Sequence, residues 1–211
     1  MSLDIIYADI YLADDNPLVY VASENLSPKE QDRLLWQEFQ AGSEVAYAKI
    51  YENNARILYN YGLKLVNDKE LIKDCVQDLF VEIWNTKHKL APVKSIKSYL
   101  FKSIRRKIIS EIVKKRKLSS VSTLSSFFNL GLSQSVEWNI IEKQRFDWQH
   151  QKLNQAMKSL TDRQREAVHL KYYVQLSYSE IAKVMSLSKK GAYKLMARSI
   201  TVLRNHLSDK N

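Results

Sequence analysis

At 211 residues and 24.7 kDa, the chain is long enough for one or two domains with a real core. Its four glycines and three prolines are about 3% of the sequence, against roughly 12% in ordinary domains, which argues against turn-rich sandwiches and barrels and for helices. A net charge of +10 and a pI near 9.5 suit a polyanionic partner, either nucleic acid or an anionic membrane face.

Along the chain the charge is uneven. Residues 1–28 carry Asp4, Asp9, Asp14, Asp15 and Glu24 with no Lys or Arg, an acidic leader in which 3–12 fits either a strand or a helix period. Residues 30–41 (Leu34, Leu35, Phe39) and 44–65 (Tyr47, Ile50, Ile57, Leu58, Tyr61, Leu65) then repeat at helical spacing. In 68–85, Ile72, Val76, Leu79, Phe80 and Ile83 share one face, and Asn67 with Glu70 reads as its capping box. The outer face of that helix bears Asp74, Gln77, Asp78 and Glu82. Such a face repels phosphate and suits a protein partner with basic residues, although a plain amphipathic surface would look the same.

The segment 95–113 is helical through Ile96, Tyr99, Leu100, Ile104, Ile108 and Ile112. Residues 89–117 hold eleven basic side chains against the single acid Glu111, with Lys102, Arg105, Arg106 and Lys107 clustered beside Tyr99 and Phe101. Cations track phosphates and flat rings stack on exposed bases, so this stripe fits nucleic acid; a solvated helix face with its rings in the core is the alternative. Residues 118–136 are uncharged and seven of the nineteen are serine, the composition of a linker.

Beyond the linker, residues 150–211 return to twelve basic against four acidic side chains. Thr161 with Gln164 and Ser177 with Glu180 match capping boxes, and Ser188 caps a third helix, giving helices at about 161–174, 177–185 and 188–206. The last two have helix-turn-helix spacing: small Ala182 at the crossing, Ser186 in the turn, and Ala192 inward with Leu187 and Leu195. The second helix projects Lys189, Lys190, Tyr193, Lys194 and Arg198. A capped, basic helix start of this kind fits the DNA major groove; a basic, solvated helix in an ordinary helical hairpin is the alternative.

Catalytic signals are missing. No Gly-rich phosphate loop, zinc-protease motif or Ser/His/Asp set is recognisable, and the four histidines have no ligand spacing. Cys75 lies among apolar helix positions and reads as core; a single cysteine excludes an internal disulfide framework and a Cys-rich zinc site. No apolar run approaches the ~20 residues of a membrane span, and the first residues lack a signal-peptide pattern. The expectation is a cytoplasmic, all-α protein that is not an enzyme and holds no cofactor or metal. Two small helical domains are joined by a flexible linker, the C-terminal one a helix-turn-helix.

The residues also resemble a family. Asp74-Cys-Val-Gln-Asp-Leu-Phe-Val-Glu-Ile-Trp84 is similar to the polymerase-clamp helix of bacterial RNA polymerase sigma factors of the small, extracytoplasmic-function type. Tyr99-Leu-Phe-Lys-Ser-Ile-Arg-Arg-Lys-Ile-Ile109 resembles their promoter-melting helix. Leu160–Glu166, Leu176–Ala182 and Leu187-Ser188 resemble their C-terminal domain, in the family's order. The resemblance implies a leader 1–28, a region 2-like domain 29–117, a linker and lead-in helix 118–149, and a region 4-like domain 150–211. It implies docking of Asp74, Gln77, Asp78, Phe80 and Trp84 on core RNA polymerase. Tyr99, Lys102, Arg105, Arg106 and Lys107 would hold the upstream promoter element and the melted strand, with one base flipped out near 88–100. Tyr193, Lys194 and Arg198 would read the distal element while Ser188, Lys189 and Lys190 hold phosphate. The partners implied are core polymerase and promoter DNA, with no small-molecule substrate; an anti-sigma factor is common in the family, though no residue here specifies one.

The chain departs from the family pattern at Arg106 (usually Asn), Ser110 (usually Asp) and Ser186 (usually Gly), where a need for positive φ would strain serine. The leader is a further departure, either a loose tail or a segment that folds onto a basic DNA-binding surface. Two other readings compete: a stand-alone helix-turn-helix regulator, which leaves the 74–84 motif unused, and a nucleic-acid-processing enzyme, which needs the leader's carboxylates to form a metal site.

Overall fold

The computed structural model describes residues 26–118 and 153–208. The leader up to residue 25 and the serine-rich segment lie outside the described residues, as do the readings made of them. What is described is helical, with no strand. The elements are α1 (Pro28–Gln40), α2 (Glu44–Leu65), α3 (Lys69–Thr86), a 3-10 turn (Lys87–Lys89), α4 (Ile96–Leu118), α5 (from 153 to 158), α6 (Asp162–Tyr172), α7 (Tyr178–Val184) and α8 (Lys189–Ser208).

These form two compact units, each with its own core. One comprises, of the described residues, 26–55 with 80–97; the other comprises 56–79, 98–118 and 153–208. None of the three cuts coincides with a loop, because α2, α3 and α4 each supply residues to both.

The first unit is built on aromatic rings. α1 begins at a capping box: Glu30 N–H donates to Ser27 Oγ, Ser27 N–H donates back to the Glu30 carboxylate, and Pro28 occupies the first turn, where its missing N–H costs nothing. That helix buries Trp36 and Phe39. Phe39, Tyr47, Phe80 and Trp84 meet with centroids 4.9–6.4 Å apart; Phe39 and Tyr47 are stacked at 21° and the other pairs are tilted or edge-on. Trp36 Nε1 donates to Ala91 O at 3.1 Å, Gln40 donates to Leu90 O, and Asp32 accepts from Ile96 N–H at 2.9 Å. Chain from α1 thus satisfies the loop before α4 and caps that helix's first turn.

In the second unit Leu58, Tyr61, Leu65, Ile72, Leu79, Leu100, Ile104 and Ile108 are buried at the positions that the helical period marks, with Cys75 among them; Phe101, read as a ring beside the basic stripe, is buried too, 4.9 Å from the Tyr61 ring, and belongs to the core. Gly62 allows α2 and α3 to approach closely, since a methyl there would lie 2.6 Å from Ile72 Cγ2. The cap of α3 differs from expectation. Asp68, not Asn67, accepts from Leu71 N–H at 3.0 Å, and Glu70 turns outward to Lys73 at 2.9 Å. Asp68 gains twice there, because Lys115 also binds it at 2.9 Å and holds its carboxyl below the usual range. The other two boxes form as read, Thr161 with Gln164 and Ser177 with Glu180. Packed between α6, α7 and α8 are Leu160, Ala167, Leu170, Val174, Ile181, Val184, Met185, Ala192 and Met196.

Candidate nucleic-acid interface

α7 and α8 form the helix-turn-helix. Ala182 and Ala192 are both buried, 5% and 1% exposed, as a close helix crossing requires. Between the helices, Leu187 N–H donates to Ala182 O at 2.7 Å and Ser186 sits at φ 54°. This is the six-to-one bond of a Schellman stop with its left-handed residue, the position where glycine is the unstrained choice. Serine holds it here under strain, as the sequence anticipates.

α8 starts at Ser188, whose Oγ accepts from Gly191 N–H at 3.0 Å. Lys189, Lys190, Tyr193, Lys194 and Arg198 are all exposed on its first three turns, while Ala192, Met196 and Ser199 fill the opposite side. Ser199 is 0% exposed and avoids a stranded hydroxyl by donating to Leu195 O at 2.8 Å. Tyr193 keeps 47% of its surface, yet one face of its ring lies on Tyr178 of α7, centroids 4.1 Å apart.

The basic face of α4 is less uniform than its composition suggests. Lys102 and Arg106 are exposed. Tyr99 is half-buried. Lys107 is half-buried with its Nζ 3.8 Å from Asp78 Oδ2. Arg105 is committed inward: its Nε donates to Glu166 Oε1 at 2.7 Å, and the hydroxyl of Tyr61 donates to the same oxygen at 2.7 Å. Glu166 is 2% exposed and Tyr61 is fully buried. Burial alone would lower the pKa of Arg105, but the Glu166 carboxylate outweighs it and the pKa is raised; burial and the same carboxylate push Tyr61 well up. His169 stacks between Tyr61 and Tyr173 at 6.2 and 5.2 Å, and burial with the Lys64 charge lowers its pKa to about 4.

On α3, Asp74, Gln77 and Asp78 are exposed, and Trp84 is half-buried with Lys87 Nζ 3.9 Å above its ring. Phe80 corrects its expected role. At 1% exposed, with Tyr51 and Tyr47 against its ring at 4.8 and 6.3 Å, it has no surface to offer a partner and serves as core. Cys75 is buried among apolar side chains, which with nearby Glu111 raises its thiol pKa to about 11, far from a nucleophile's range.

Sequence reasoning missed Glu166, Tyr61, Tyr178 and Lys171. A signal for Glu166 exists: it lies four residues before buried Leu170, so a carboxylate occupies an apolar-face position and needs a buried partner. Among the described residues no group of three or more His, Cys, Asp or Glu is placed to hold a metal, and no helix is long and apolar enough to cross a membrane.

The chain matches the family model for Sigma-70 region 2 over residues 50–118, which takes in α3 and α4, and that for Sigma-70 region 4 over 150–201, which takes in the helix-turn-helix. It belongs to the sigma-70 family. Curated relatives are ECF RNA polymerase sigma factors SigK. That of Mycolicibacterium vanbaalenii is 25% identical over 179 residues, covering 84% of this chain and 89% of the relative; that of Mycobacterium ulcerans is 21% identical, covering 85% and 96%. The fold is similar to CnrH solved with the cytosolic domain of CnrY (TM-score 0.54, 18% identity, 85% of this chain and 99% of that one). It is also similar to the sigma factor RpoE solved with the anti-sigma factor NepR from Bartonella quintana (TM-score 0.58, 17% identity, 78% and 98%). The chain is therefore a sigma factor of extracytoplasmic-function type, which binds core RNA polymerase and directs promoter recognition and melting in transcription initiation.

Proposed function

We propose the following division of labour among its residues. The region 2-like domain 29–117 docks on core polymerase through the exposed acidic edge Asp74, Gln77 and Asp78, with Trp84 beside it. It holds the upstream element and the melted strand through Lys102 and Arg106, with Tyr99 and Lys107 nearby. The region 4-like domain 150–211 reads the distal element with Tyr193, Lys194 and Arg198, and Ser188, Lys189 and Lys190 grip phosphate. The observation that carries this reading is α8: every expected contact residue is exposed on its first three turns, while its inner face is locked by Ala182 and Ala192. That is the arrangement a helix needs to enter the major groove.

On this reading the protein is cytoplasmic and performs no chemistry of its own; catalysis belongs to the polymerase. RpoE of Bartonella quintana was solved with an anti-sigma factor, and we infer a partner of that class for this chain. Run-off transcription with core polymerase tests the assignment. Asp78→Lys places a cation where an acid should meet a basic partner, so it should abolish promoter-dependent product and co-elution with core while leaving helical content unchanged. Wild-type activity in that variant would dismiss the docking edge. DNA binding by the wild-type chain with no transcription from core would favour the stand-alone regulator.

A further inference from the structure

The geometry points to Tyr178 as a positioning residue for base reading. It stands in the first turn of α7, outside the helix that enters the groove, and holds the ring of Tyr193 in one orientation. This rests on the assignment of Tyr193 to the distal element.

Three contacts build the arrangement. The Tyr178 and Tyr193 rings stack with centroids 4.1 Å apart and planes 30° from parallel. Lys171 Nζ lies 5.0 Å from the Tyr178 centroid, and that ammonium also donates to Leu176 O at 3.4 Å. The Tyr178 backbone is fixed by the capping box formed by its neighbours, Ser177 and Glu180. The ring that backs Tyr193 is therefore anchored from α6 by a cation and at its own Cα by a cap.

The consequence is chemical. An exposed tyrosine on a helix surface samples several rotamers and loses that freedom when it docks. Tyr193 keeps 47% of its surface for a partner, but its ring is already seated on Tyr178. An aromatic face or edge held in place can meet the thymine methyl or a base-edge acceptor at one position and reject the alternatives. Phosphate grip comes instead from Ser188, Lys189 and Lys190, so the loss of Tyr178 should change which base is preferred and leave the salt dependence alone.

The test uses the full chain with core polymerase on a promoter and on variants carrying each base at each distal position, read as relative open-complex formation. Tyr193→Ala first locates the base it reads, as the position whose preference flattens. Tyr178→Ala should flatten the same position by about two- to tenfold, the range for one pre-ordered side chain. Tyr178→Phe, which keeps the ring, should restore the wild-type profile. The double variant should be no worse than Tyr193→Ala, and the salt slope should stay at the wild-type value. Tyr178→Leu keeps bulk without a π face and covers the case in which the alanine variant folds poorly; it should behave as alanine does. If Tyr193→Ala flattens a position that Tyr178→Ala and Tyr178→Leu leave sharp, or if the effects add, the positioning role is wrong while the Tyr193 assignment stands. If Tyr193→Ala flattens nothing, that assignment fails and the inference goes with it.

Discussion

Glu166→Gln removes one charge from a site closed to water. Glu166 has 1% of its side chain exposed and Arg105 15%, and Glu166 Oε1 accepts from both the guanidinium and the Tyr61 hydroxyl. A glutamine keeps the volume and one acceptor, but it leaves a buried cation without a counter-charge. Breaking a buried pair from one side costs roughly 3–5 kcal/mol. The retained acceptor puts the expected loss near the bottom of that range, about 3 kcal/mol, against a total stability of about 5–15 kcal/mol. With a urea slope of about 2 kcal/mol/M, the midpoint should fall by about 1.5 M, read by far-UV circular dichroism on the full chain. Removing both charges with apolar residues of similar size, Glu166→Leu with Arg105→Met, should recover part of the loss, because neither charge is then stranded and only the Tyr61 hydroxyl is left without its acceptor. A cost below about 1 kcal/mol for Glu166→Gln, or single effects that simply add in the double variant, would mean that the pair is not coupled inside the fold.

Other consequences follow from the same geometry. His169 titrates near 4 in the fold and near 6.5 when unfolded, so the unfolded chain binds its proton first as pH falls. Its contribution should be fully present above pH 6.5, decline between 6.5 and 4, and total at most about 3.5 kcal/mol at about 1.4 kcal/mol per pH unit; His169→Gln should flatten that part of the stability-pH curve. Ser186→Gly relieves a left-handed serine at φ 54° and should raise stability by about 0.5–1 kcal/mol, a Tm gain of a few degrees. A lower Tm would show that the serine is not strained. Arg106→Ala removes an exposed cation and should reduce the salt slope of promoter binding by roughly 0.7–0.9, with no loss of thermal stability. Arg105→Ala should instead lower stability first.

The helices were legible because their signal is local. The run Ile72, Val76, Leu79, Phe80 and Ile83 marks its buried face by spacing alone, and Thr161 and Ser177 cap where their hydroxyls and the acid or amide three residues on allow. Where two caps compete within one residue, as at Asn67 and Asp68, spacing could not choose. The decision came from Lys115, forty-seven residues away, which stabilises the aspartate. Phe80 shows a motif and a period in conflict: family likeness placed it on a docking face, its own helical period placed it in the core, and packing against Tyr51 and Tyr47 follows the period. The stack of Tyr178 on Tyr193 and the Arg105–Glu166 pair join residues fifteen and sixty-one apart, and neither carries a local pattern.

The same distinction governs how the positive charge acts. A net +10 describes the whole chain, but an ion responds to its nearest counter-charge before any distant phosphate. Arg105 is bound inside the fold by Glu166, Lys115 by Asp68 and Lys114 by Glu111, while Lys107 lies within reach of Asp78. The surface pairs cost little to exchange for phosphate, because water already screens them and they are worth only about 0–1 kcal/mol each. Arg105 is different: moving its guanidinium to DNA would strand Glu166 at 2% exposure and deprive Tyr61 of its acceptor. Two adjacent arginines of one basic stripe therefore differ, Arg106 facing outward into solvent and Arg105 inward toward the fold, a division set by the single carboxylate of Glu166.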